Sequence, residues 1–164
     1  MSPALRVRPL DPAKEQEIEL VAQRMRSTLI EVLGEQQGTA LYTLEWLRER
    51  VRFHLDPAQS EASILLAQLD EEIVGQSIVR RERDDEGREL GLMSTIYVVP
   101  EQRRAGVASA LVDEVEAWMR ARGLDRAATN TGKHNERLIR LMEARGYAIT
   151  TRTSDMVQLS RSLA

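Results

Sequence analysis

Two hydrophobic periods alternate along this chain, and the places where one gives way to the other mark its elements. Leu5, Arg6, Val7 and Arg8 alternate apolar with charged, which predicts a half-buried strand; Pro9 closes it because it has no N–H for a ladder. Ile18, Val21, Ala22, Met25, Leu29 and Val32 then recur at three- and four-residue steps. They predict a helix that Asp11 caps, Pro12 opens and Gly34 stops. Leu41, Leu44, Leu47 and Val51 keep that period in a second helix, from about Thr39 to the break at Leu55-Asp56-Pro57. Ala62 to Leu69 is a short apolar run and reads as a strand, turning at Asp70-Glu71-Glu72 into another, Ile73 to Arg81, which carries Gly75. Asp84-Asp85-Glu86-Gly87 has strong turn chemistry, and Glu89 to Val99 returns as a long strand. Three strands in series predict an antiparallel meander.

The last of them leads into the stretch around which the rest is arranged, Ile96 to Ala108. It begins as a β-branched run, and Pro100 stops the strand. Glu101 to Ala105 is a short polar turn, after which Val107, Leu111, Val115 and Trp118 restore the helical period up to about Arg122, with Gly123 as cap. A loop entering a helix in this way points successive backbone N–H groups into one concavity, where the helix dipole adds positive potential. An anion such as a pyrophosphate is the natural occupant of such a place.

Beyond it, Arg126 to Thr129 is small and apolar enough for a buried strand. Asn135 to Ala144 is helical, with Leu138, Leu141, Met142 and Arg145 on one side and Gly146 as its stop; Tyr147 to Thr150 and Met156 to Leu159 pair as a closing hairpin. With 164 residues and no repeat, linker or low-complexity segment, the chain reads as a single domain, 1–164. The absence of cysteine excludes disulfides, thiolate metal sites and a cysteine nucleophile. A net charge of −3 argues against a nucleic-acid partner. No apolar stretch approaches a membrane span, and the opening Met-Ser-Pro-Ala-Leu-Arg has no apolar run of a signal peptide, so the expectation is a soluble cytoplasmic protein.

Arg103-Arg104-Ala105-Gly106-Val107-Ala108 fits Arg/Gln-x-x-Gly-x-Gly/Ala, and Val98-Val99-Pro100-Glu101 precedes it as Val-x-Pro-Glu. Between an apolar strand and an amphipathic helix, this resembles the GCN5-related N-acetyltransferase (GNAT) family. The order of elements is similar as well: strand, two helices, three strands, helix, strand, helix, strand pair. The resemblance is specific from about Ile73 to Tyr147. It implies an α/β (α+β) fold, with a mixed, mostly antiparallel central sheet, about four flanking helices and a splayed strand pair that forms the coenzyme slot.

What the resemblance implies about chemistry is transfer of an acetyl group from acetyl-CoA to a primary amine. The backbone N–H groups of Arg103, Arg104, Ala105, Gly106, Val107 and Ala108 would grip the pyrophosphate; Gly106 admits close approach, and the two arginines add charge. Ile96, Tyr97 and Val98 would offer backbone groups to the pantetheine arm, with the Val98 N–H meeting the oxyanion. Asn135 matches the asparagine that opens the family's Asn-x-x-x-x-x-Leu-Tyr-x-x-x-Gly-Phe segment, and is also a favoured N-cap. The tyrosine of that segment, which protonates the leaving thiolate in many members, is Met142 here. A thiolate of pKa about 8.5 leaves tolerably without an acid.

No catalytic residue is assigned. Asn130 stands where some members carry glutamate; Glu45, Glu89, His54 and His134 are chemically able to take a proton, as is a water relayed by Ser94, Thr95 or a backbone carbonyl. The acceptor site would be built by the first two helices and the closing hairpin. Tyr42, Glu45 and Trp46 form either an aromatic–acid cluster suited to a cationic amine or a packed helix edge. The acceptor stays open between a small molecule, an amino acid and a protein N-terminus; the resemblance makes a homodimer plausible, the sequence itself shows no interface, and no metal is expected. A non-catalytic acyl-CoA binding domain would use the same loop. A nucleotide-binding module is disfavoured, since neither Gly-Lys-Ser/Thr nor Gly-x-Gly-x-x-Gly is present.

Overall fold

A computed structural model describes residues 4–34, 36–37, 42–103 and 106–164. The strands are β1 (Leu5–Pro9), β2 (Ala62–Leu69), β3 (Glu72–Arg83), β4 (Glu89–Val98), β5 (Arg126–Gly132), β6 (Ala148–Arg152) and β7 (Met156–Ser162). The helices among the described residues are α1 (Glu15–Leu33), α2 (Leu44–Leu55), α3 (Val107–Ala121) and α4 (Glu136–Ala144), with a 3-10 turn at Pro100–Gln102. All seven strands join one sheet in the order β1-β2-β3-β4-β5-β7-β6. Every pairing is antiparallel except β4 with β5. The meander of β2, β3 and β4 is as the sequence predicts. The closing hairpin forms as well, with its second strand, β7, lying between β5 and β6.

Two helices cover each face. Val21, Ala22, Leu47 and Val51 from α1 and α2 pack on Leu66 and Ile78. Leu111, Val115 and Met119 of α3 and Met142 of α4 pack on the opposite face against Val79, Met93 and Leu159. Each buried valine, leucine, isoleucine or methionine among them contributes about 2 kcal/mol of apolar transfer. Gly75 permits the close approach of α3. A Cβ there would lie 3.0 Å from the Tyr97 carbonyl oxygen and 3.1 Å from Val107 Cγ1.

The first helix starts later than its sequence predicts. Asp11 Oδ1 accepts from the Ala13 N–H, and Glu17 Oε1 accepts from the Asp11 N–H, so 11–14 is a turn and Pro12 stands outside the helix. Thr43 caps α2 by accepting from the Trp46 N–H at 3.0 Å; the expected start near Thr39, with Leu41, lies outside the described residues. No helix of the described residues is long and apolar enough to cross a membrane.

Candidate functional site

The site is made by a fork in the sheet. β4 and β5 pair in parallel only at Gly91, Leu92 and Met93 against Ala127, Ala128 and Thr129. Beyond that seam β4 runs on through Val98 and β5 through Gly132 without pairing to each other, and the wedge between them is the slot. At the branch point the Met93 carbonyl is satisfied by the Thr129 hydroxyl at 2.8 Å, in a fully buried position.

A bulge creates the divergence. Ile78 lies opposite Thr95 and Val79 opposite Met93, so Ser94 is the extra residue of β4. A bulge turns two consecutive side chains to one face, and Ser94 and Thr95 both line the cleft beneath α1 and α2. Past the bulge the backbone alternates. The Val99 N–H donates to the Val74 carbonyl of β3 at 2.9 Å, so the Val98 N–H points the other way, into the slot, as does that of Ile96. Tyr97 differs from its two neighbours: its backbone faces β3, and its ring lies between the guanidinium groups of Arg24, 5.9 Å away, and Arg103, 5.6 Å away.

At the mouth of the slot α3 begins. Gly106 is its N-cap at φ 81°, with no side chain capping and no acid in the first turn. The contrast with its neighbours is physical. α2 and α4 have side-chain caps, and α1 has Glu15 and Glu17 in its first turn. The first-turn N–H groups of α3 and its positive dipole end are therefore open to an external anion. Val107 anchors the turn in the core and Ala108 packs beside it. The Arg103 backbone N–H donates to the Pro100 carbonyl at 3.3 Å, and of its side chain Nε donates to the Val98 carbonyl at 2.9 Å and Nη2 to Glu31 at 2.8 Å. Arg104 and Ala105 lie outside the described residues. Asn135 caps α4, accepting from the Leu138 N–H at 3.5 Å, and its amide donates to the Thr131 hydroxyl at 2.9 Å, tying the helix to the β5 wall.

The proton-transfer candidates separate. Glu45 and His134 are exposed, and Glu89 is paired with Arg81 and Arg83 at the far end of the β3–β4 hairpin. Asn130, the first residue past the fork on β5, accepts from Gln158 at 3.0 Å. His54 alone of the four lines the cleft, and it is buried. Burial, above all, pushes its pKa down to about 4, helped by the nearby Arg80 and Arg50 and opposed by the Arg50 carbonyl and by Glu82. Its Nε2 lone pair is occupied by an Arg80 Nη1 hydrogen at 3.0 Å, so it is not poised as a base. Met142 is packed in the core. The Tyr147 hydroxyl does not replace it, because it donates to Glu116 at 2.7 Å, and burial beside that carboxylate pushes its pKa up.

The cleft itself has a volume of about 310 Å³ and lies between α1, α2 and the bulge. Tyr42 and Trp46 form one wall, their rings 4.9 Å apart, while Glu45 points elsewhere and lines no part of it, so no aromatic–acid cluster forms there. Arg50 and His54, one and two turns on from Trp46 along α2, and Arg80 of β3 also line it; sequence reading missed these three as a group, because only folding brings α2 onto β3. A more open depression of about 570 Å³ on the outer face of α1 and α2 is crossed by the Arg48–Glu19 and Arg52–Glu15 ion pairs and includes none of the fork residues. Among the described residues no cluster of His, Asp or Glu can hold a metal.

The sequence profile described as Acetyltransferase (GNAT) family matches residues 24–147, from the middle of α1 through α4. The chain belongs to this family. The GNAT fold accounts for the whole sheet. Coordinates of PaiA N-acetyltransferase from Thermoplasma acidophilum in complex with coenzyme A superpose with a TM-score of 0.74 at 15% identity, over 97% of this chain and 99% of that one. An acetyltransferase of the GNAT family from Streptococcus pneumoniae gives 0.71 at 21% identity, over 98% and 100%. A chain of the NatC complex bound to Gag peptide and CoA gives 0.74 at 17%, over 98% and 99%. No curated protein matches. At these identities the likeness to the solved structures is one of fold.

Proposed function

We propose that this GNAT protein is a cytoplasmic N-acetyltransferase that uses acetyl-CoA and acetylates a primary amine by direct attack in a ternary complex. The observation that carries the proposal is the fork: a slot lined by unpaired strand backbone opens at one end onto an uncapped helix N-terminus, and the bulge beside it opens onto a separate cleft. The two solved relatives with coenzyme A bound, PaiA and NatC, support a coenzyme in that slot.

In this reading the α3 first turn takes the pyrophosphate and the Ile96 backbone takes a pantetheine amide. The Val98 N–H meets the carbonyl oxygen of the thioester. The neutral amine attacks that carbonyl carbon, an N–C bond forms, and the C–S bond breaks with its electron pair leaving on sulfur. Starting from an ammonium acceptor, the products are the acetamide, coenzyme A as thiol and one proton released to solvent. With His54 occupied, a water held by the Ser94 and Thr95 hydroxyls is the relay for that proton. A second reading, a non-catalytic acyl-CoA binding domain, draws on one observation: Met142 is a buried core residue with no proton to give.

Calorimetric titration with acetyl-CoA, followed by thiol release against a panel of amines, decides between the two. Binding with release supports the transferase. Binding without release from a broad panel supports the binding domain, and absence of binding refutes both.

A further inference from the structure

The cleft beneath the bulge holds two arginines with unfilled capacity. Arg50 is half-buried on α2, stacked on Phe53 at 4.4 Å, and no carboxylate of the described residues lies within ion-pairing distance. Arg80 sits on β3 with its side chain 17% exposed. Its Nε is on Glu82 at 2.8 Å and its Nη1 is on His54, while Nη2 has no hydrogen-bond partner among the described residues. A guanidinium only donates, so His54 Nε2 accepts, and His54 Nδ1 carries the hydrogen given to the Arg50 carbonyl at 2.9 Å. His54 is thus a positioning residue that fixes the Arg80 fork while adding no charge itself. Two cations face one half-exposed carboxylate, Glu82, and the lining of the cleft contains no acid.

A polyamine or a basic peptide would meet repulsion there. A cation held out of water without its full complement of acceptors favours an anionic occupant, and a planar fork with a free edge matches a carboxylate. Position adds to charge. Ile78 is opposite Thr95, so the Arg80 backbone lies two residues, about 7 Å of strand rise, further along the sheet than Thr95. An acceptor that spans from hydroxyls to guanidiniums carries its amine and its acid a few bonds apart. A cleft of 310 Å³ is at the small end for ligand sites and suits one amino-acid-sized molecule.

We infer that the acceptor is a small amino-carboxylic acid, whose carboxylate is held by Arg50 and Arg80, whose apolar part lies on Tyr42 and Trp46, and whose amine points to Ser94 and Thr95. This rests on the transferase reading above and narrows its acceptor. Of the acceptors that the sequence leaves open, it selects the amino acid.

The test compares free amino acids with their carboxamides, together with spermidine and with peptides that begin with an acidic residue, in the thiol-release assay. The expected result is a preference of about 10- to 100-fold for the acid over its amide in kcat/KM, carried mainly by KM, because the contact is remote from the reacting atoms. Arg50→Met, which touches no ion pair, and Arg80→Lys, which keeps the charge but loses the fork, should each erode that preference while acetyl-CoA affinity is unchanged. Equal or better use of carboxamides, of spermidine or of peptides, with coenzyme binding intact, overturns the inference and leaves the transferase standing. Guanidinium NMR shifts on titration with N-acetylated amino acids and their amides read the anion site without coenzyme. Shifts at Arg50 and Arg80 with the acids alone support it even if acetyl-CoA fails to bind, and equal or absent shifts overturn it.

Discussion

His54→Gln isolates the cost of burying an imidazole beside two arginines. Glutamine can accept from Arg80 and donate to the Arg50 carbonyl as His54 does, so the packing and both hydrogen bonds have a replacement. What it removes is a titrating group. In the unfolded chain His54 titrates near 6.5, and in the fold its pKa is about 4, with burial the largest cause. Between those values the unfolded chain binds the extra proton and the folded one does not. The stability of the wild-type protein is therefore undiminished by this group above pH 6.5 and falls as the pH drops toward 4. At pH 5 the linkage amounts to about 2 kcal/mol, rising to about 3 kcal/mol near pH 4. Carboxylates such as Glu17 and Asp84, whose pKa values are lowered by their partners, lose their contributions below the ordinary carboxylate range, so they overlap only the acid end of this window. Urea denaturation of both proteins at pH 7.5, 6.0 and 5.0 measures the difference. The wild type should lose about 2 kcal/mol more than the variant between the first and last pH, at constant m-value. A gap between the two proteins that does not change over this range would refute a neutral, buried His54, and with it the account of how Arg80 is held.

Two further predictions concern the slot and the core beside it. Gly106→Ala and Gly106→Glu share the strain of a side chain at φ 81° in open space, about 1–2 kcal/mol of stability. Only the glutamate puts a like charge near a pyrophosphate, so acetyl-CoA affinity by calorimetry should fall at least about 30-fold further for it; equal affinities would show that the loop is not the pyrophosphate site. Tyr147→Phe leaves buried Glu116 with Arg145 and Arg161 but without its 2.7 Å hydroxyl donor, and should cost about 1–3 kcal/mol in thermal or urea unfolding. Its thiol-release rate should stay at the wild-type value; a large drop at full folding would mean that Tyr147 protonates the leaving thiolate.

Much of the frame was legible in the chain because it rests on local rules. Ala62–Leu69 matches its apolar run end to end, bounded by a turn that Asp70 makes at positive φ. The stops at Gly34 and Gly146 hold φ at 86° and 91°, positive values that a side chain rarely adopts. The start of α1 was not legible, since the Asp11-Pro12 signal was diverted into a turn by a carboxylate six residues on. Asn135 was read for both of its uses, and its capping role is the one the geometry displays. The charge of the cleft was out of reach. Arg50, His54 and Arg80 come from a helix and a strand with no sequence pattern in common, and an arginine on a strand reads as solvated surface until the helix that covers it is known. The Ser94 bulge is similarly silent, because it is a mismatch with a partner strand rather than a property of its own residues.

The seam between β4 and β5 has a mechanical consequence. With three paired positions there, the sheet is two antiparallel leaves, β1–β4 and β5–β7–β6, joined by a short hinge and by the crossover through α3. A molecule lying along the fork touches both leaves at once and acts as a clasp. Amide exchange should then report two cooperative units in the empty protein, with the β5–β7–β6 leaf opening separately. Coenzyme should merge them into one, by raising the free energy of every opening that parts the leaves.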